Sequence, residues 1–114
     1  MRFAYFLTLL SIPLFAHTLE YTIQCENDQV RVSKMKLLPG EQIGLHRDEY
    51  PRVVVGLKGG HFTRIEEDGS SRDIVFPTGE AIYLEADPVG QLHSGENGTE
   101  ELEIIIVELK TKKP

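Results

Sequence analysis

Two histidines and an aspartate stand out because their types and spacing suit a divalent metal. His46 and Asp48 are separated by one residue, so on a strand, where side chains alternate, both fall on one face. His93 lies far along the chain, in Pro88-Val89-Gly90-Gln91-Leu92-His93-Ser94-Gly95-Glu96-Asn97, beside a turn and ahead of a polar segment. Two imidazoles and one carboxylate are the donors of a facial-triad site for iron(II) or a similar divalent ion, provided the fold brings them together. The alternative is a hydrogen-bonded polar pair without metal in a degenerate site. Arg52 can pair with Asp48 or hold an anionic ligand bidentately. Its own alternative is a solvent-facing charge, since Pro51 can displace the register. Tyr50 and Tyr83 offer phenolic hydroxyls near such a pocket, and Tyr50 with Arg52 makes the expected ligand-binding pair, although an aromatic on a strand also serves as core.

The elements that must position these residues are short strands. From Leu19 onward, β-branched and aromatic runs alternate with turn signals at Pro39-Gly40, Gly59-Gly60, Asp68-Gly69, Pro77-Thr78-Gly79, Asp87-Pro88-Val89-Gly90 and Asn97-Gly98. The runs predict strands over 19–24, 30–37, 42–46, 52–57, 61–66, 72–76, 81–85, 92–94 and 102–109. No helix-length amphipathic segment competes with them. Short strands at this spacing imply an all-β sandwich or jelly-roll barrel, and closure removes most exposed edges. Segment 100–110, with Ile104-Ile105-Ile106-Val107, is apolar on both faces and is expected to be central.

The chain of 114 residues, 40% hydrophobic, is enough for one small core. Twelve Lys and Arg against 18 Asp and Glu give a formal charge of −6, without a basic cluster interleaved with aromatics, so nucleic acid and anionic membrane surfaces are not expected partners. Residues 3–16 form an apolar run behind Arg2, with Pro13 late in the run and Ala16 before His17. This pattern predicts a secretory signal peptide over 1–16, cleaved to leave a domain over 17–114, exported to the periplasm or secreted. The single Cys25 excludes an intramolecular disulfide, and Thr22-Ile23-Gln24 before it does not form a lipid-attachment box. Cys25 is expected to be an inert small hydrophobe on an early strand. Glu49, Glu66, Glu67 and Asp68 are expected to be solvated charges, and His17 and His61 surface residues. Asn97-Gly98-Thr99 matches a glycosylation sequon, but a turn role for Asn97 is preferred.

These residues also resemble a known family. Gly40, His46, Asp48, Arg52 and Gly59 occupy the five fixed positions of the first cupin motif, with Asp48 in place of a histidine and Arg52 in place of a glutamate. Pro88, Gly90, His93 and Asn97 meet the second motif in full, although Gly79 lies farther upstream than usual. The string His46-Arg47-Asp48-Glu49-Tyr50-Pro51-Arg52-Val53-Val54-Val55 is similar to one in small single-domain cupins labelled beta-alanine degradation proteins. The resemblance spans about Lys36 to Lys110 and implies a jelly-roll β-barrel with a pocket at one mouth. It further implies a homodimer, a small-molecule ligand, and iron, manganese, nickel or zinc on His46, Asp48 and His93. The family's chemistry includes metal-dependent dioxygenases and isomerases. Asp48 keeps a hard oxygen ligand. Arg52 adds a positive charge, which opens the alternative of a metal-free ligand-binding or interaction module. The order His-x-Asp then His is shared with 2-oxoglutarate oxygenases, but the arginine expected about ten residues beyond the second histidine is absent between Glu100 and Val107.

Overall fold

The computed structural model describes residues 19–111; the expected signal peptide and His17 lie outside them. The described residues form nine strands: β1 (Glu20–Glu26), β2 (Val30–Leu37), β3 (Gln42–His46), β4 (Arg52–Lys58), β5 (Gly60–Glu66), β6 (Ser71–Phe76), β7 (Ala81–Leu84), β8 (His93–Asn97) and β9 (Leu102–Leu109). They assemble into a five-stranded sheet, β1-β2-β9-β4-β7, and a four-stranded sheet, β3-β8-β5-β6. Of the two all-β architectures the turn spacing allows, the observed one is the jelly roll that the resemblance implied. Among the described residues no helix is long and apolar enough to cross a membrane.

β9 lies between β2 and β4, as its two apolar faces require. Its alternate residues Leu102 and Ile104 are buried with Leu37, Val54 and Phe76 between the sheets, and Met35, Ile43, Phe62, Ile74 and Ile106 pack around them. The antiparallel registers give the barrel two distinct ends. At one, the carboxyl end of β3 meets the amino end of β8 through the pair His46 and His93, and the amino end of β4 begins at Arg52. At the other, Leu37 pairs with Leu102 and Phe62 with Asn97.

The second end is stapled. Asn97 is 3% exposed, and its Nδ2 serves the carbonyl oxygens of Leu37 (3.2 Å), Leu38 (3.0 Å) and Glu100 (2.7 Å). It is thus the final residue of β8 and a buried tie between two loops, more than the turn former the sequence suggested, and its committed amide leaves no place for a sugar. Nearby, a Cβ on Gly59 would collide with the carbonyl oxygen of Phe76, and, midway along β8, one on Gly95 with the Phe62 ring. Both positions therefore require glycine for close approach rather than for backbone freedom.

Two expectations change. β8 extends to Asn97, where a polar loop was expected, because pairing with β3 and β5 holds residues of weak strand propensity. Cys25 is on the first strand but is exposed, because β1 forms the sheet edge and its residues are all exposed. His61 is exposed, as expected, 3.7 Å from Asp73.

Candidate metal centre

The pairing of β3 with β8 sets the His46 and His93 rings edge to face, with centroids 4.4 Å apart. Asp48, two residues beyond the end of β3, completes a cluster in which one donor atom from each of the three residues lies within 4.8 Å of the others. His46 Nε2 is 3.7 Å from Asp48 Oδ1 and His93 Nε2 is 3.2 Å from Asp48 Oδ2. The opposite ring nitrogens also face oxygens. His46 Nδ1 lies 2.8 Å from the Gly44 carbonyl oxygen, which only an N–H can satisfy, so the neutral ring presents an unprotonated Nε2 to Asp48. His93 Nδ1 is 3.0 Å from Asp87 Oδ2, but out of line, so it makes no hydrogen bond.

Asp87 is the residue that sequence reasoning missed. Its side chain is almost fully buried, and its Oδ2 accepts the Asp48 backbone N–H at 2.8 Å while its own N–H donates to the Asp48 carbonyl oxygen at 2.8 Å. Arg64 Nη2 donates to Asp87 Oδ1 at 3.0 Å and is also paired with Glu66. Glu66 is therefore an ion-pair partner at the rim and not a freely solvated charge. Arg52 pairs with Asp48, Nη2 to Oδ2 at 3.0 Å, and donates from Nη1 to the Glu85 carbonyl oxygen at 3.2 Å.

Tyr50 is half-buried in the segment before β4 and does not line the cavity beneath the rim, so the structure does not bring it together with Arg52 there. Tyr83 is 53% exposed on β7 and borders an outer groove with Glu67 and Asp68. Glu49 is exposed.

Burial pushes the His93 imidazolium toward its neutral form, assisted by the Arg64 and His46 charges and opposed by Asp87 and Asp48. Burial also raises the Asp48 carboxyl, but the neighbouring His46 ring and the Arg52 charge outweigh it and hold Asp48 below the usual carboxylate range. His46 is raised, first by the Asp48 carboxylate beside it, against desolvation, and then by the Gly44 carbonyl. At neutral pH, His93 is neutral and Asp48 ionised, as metal ligation requires, while a metal would have to displace the proton that His46 holds more tightly than a free imidazole. The residues fit a divalent cation: two imidazoles aim Nε2 at one carboxylate, His46 Nδ1 is held by the Gly44 carbonyl in the way metal-ligating histidines are supported, and His93 Nδ1 stands beside the Asp87 carboxylate.

No protein-family profile matches the chain, and no curated protein matches it. Solved structures do. A cupin domain from Bordetella pertussis Tohama I superposes with a TM-score of 0.70 at 24% identity, covering 82% of this chain and 94% of that one. The polyketide cyclase RemF from Streptomyces resistomycificus gives 0.58 at 16% identity, covering 84% and 68%. KdgF from Halomonas sp. gives 0.56 at 15% identity, covering 82% of each chain. The fold is that of the cupin double-stranded β-helix.

Proposed function

We propose that this cupin barrel is a small-molecule-binding protein that holds a divalent metal on His46, Asp48 and His93 and an anionic ligand beside it on Arg52. The observation that carries the reading is the convergence of both Nε2 atoms on Asp48, with each Nδ1 facing an oxygen of Gly44 or Asp87. Iron, manganese, nickel or zinc held there would supply a Lewis acid for dioxygenase- or isomerase-type chemistry. Asp87 holds the Asp48 backbone in place and sets a carboxylate behind the His93 ring. Arg52 has five N–H donors and commits two of them, to Asp48 and Glu85, so further donors are free to orient an anionic group.

The 3.0 Å ion pair between Arg52 and Asp48 favours a second reading, a metal-free barrel in which this pair replaces the metal and ligand recognition is by shape. Elemental analysis of protein purified without chelator decides between them. Near-stoichiometric metal that disappears in the His46→Ala His93→Ala double variant supports the metal reading; absence of metal after reconstitution removes it. A manganese titration of Arg52→Glu adds a direction. Binding strengthens if Asp48 serves a metal, because the competing guanidinium is gone.

Export to the periplasm or outside the cell belongs to the same proposal, supported by the apolar run 3–16. N-terminal sequencing of the mature protein tests it, with His17 the expected first residue. Assembly as a homodimer is supported by the exposed edge strand β1, which carries Tyr21 and Ile23. Light scattering of the purified protein tests it.

A further inference from the structure

Beneath the rim lies a cavity of about 80 Å³ whose composition changes abruptly with depth. His46, Asp48, Arg52, Arg64 and His93 form its polar edge. Every other lining side chain is apolar, including Leu37, Val54, Phe62, Phe76, Leu102 and Ile104. Native interiors keep few voids larger than a water molecule, and an apolar space that opens onto convergent polar groups is the form of a ligand pocket. At the space one water needs, this volume accommodates on the order of five or six heavy atoms. A hydroxyl placed there would find no side-chain partner, which disfavours sugars and polyols.

The charges at the rim limit the head group. The guanidiniums of Arg52 and Arg64 stand against the carboxylates of Asp48, Asp87 and Glu66, leaving one negative charge while the histidines are neutral. A divalent cation on the proposed ligands reverses this to one positive charge, which a single carboxylate neutralises. We propose that the ligand is a short aliphatic monocarboxylate of about four to six carbons, with its carboxylate at the rim against Arg52 and its chain in the cavity. The charge half of this inference rests on the metal reading; the chain-length half rests on the cavity alone.

The test is an NMR titration with the sodium salts of acetate, butanoate, hexanoate, octanoate and gluconate, on zinc-loaded protein and on protein kept in EDTA. Affinity should rise about threefold to fourfold per methylene from acetate to hexanoate, stop rising at octanoate, and be lost for gluconate. Bound hexanoate should give nuclear Overhauser contacts from its chain to Leu102 and Ile104 methyl groups. Zinc should strengthen the whole series without changing its slope. If zinc does not bind but the EDTA series keeps its slope and its contacts, the metal reading fails and the proposed ligand class stands. A flat series, no binding by any member, a rise that continues through octanoate, or gluconate binding as tightly as hexanoate overturns it.

Discussion

At the stapled end Asn97 commits its amide to three carbonyls, and Gly59 leaves no room for even a methyl group. At the rim Arg52 retains uncommitted donors, His93 Nδ1 is buried without a hydrogen bond, and the polar edge surrounds an open cavity. One end is tied together by a buried amide and close backbone contact; the other keeps binding capacity in reserve. The difference teaches where stability and recognition are separately placed, and substitutions at the two ends should have separable effects.

The largest expected effect is at the stapled end. Gly59→Ala drives a Cβ into the Phe76 carbonyl and should cost about 3 kcal/mol or more, read by urea unfolding. Asn97→Ala strips the donor from three carbonyls at a buried position and should cost about 2–4 kcal/mol in the same measurement, leaving metal stoichiometry in the surviving folded fraction unchanged. A loss of metal parallel to the loss of stability would show the two ends to be one cooperative unit. At the rim, Asp87→Ala removes the oxygen behind His93 and the acceptor for the Asp48 N–H, and should weaken zinc binding about 10- to 100-fold by calorimetric titration.

The smallest effect is a pair of opposed pH slopes in metal-free protein. The His46 pKa is raised in the folded state, so its contribution is present below the ordinary value of 6.5 and fades as pH rises through the raised one. The His93 pKa is lowered, so the native state binds its proton less well than the unfolded chain does, and stability falls as pH drops from 6.5 through the lowered value. With His46→Gln, stability around this window should increase with pH; with His93→Gln it should decrease. Urea midpoints measured in EDTA across the window check both signs, and equal signs would break the contrast between the two rings.

Much of the fold was legible because inner and outer residues alternate along the strands. The bounds of β2, β3 and β9 follow directly from Val30–Leu37, Gln42–His46 and Leu102–Leu109. β8 was less legible because His-Ser-Gly-Glu-Asn lacks β-branched residues, and its conformation comes from neighbours distant in sequence. His46, Asp48 and His93 were visible through spacing and motif. Asp87 was hidden inside a turn signature, since nothing local tells that a carboxylate before Pro88 will face a histidine and an arginine from other strands. Arg64 had a signal that was available, the period of two that places it on the same face as core-packed Phe62, but a charged residue at that position reads as solvent-facing until its partners are known. Tyr50 lacked any such constraint.

The position of β9 also bears on how the chain acquires its structure. The last of the nine strands to be synthesised is inserted between two that were made much earlier, β2 and β4. Until it arrives, the five-stranded sheet exists only as the β1–β2 hairpin and the β4–β7 pair, with no ladder between them. Its pairings with Val30–Leu37 close loops of long sequence separation, so folding carries a high contact order and belongs to the millisecond-to-second class of β-proteins. A nascent chain emerging from the ribosome therefore stays pliable until its final segment is free.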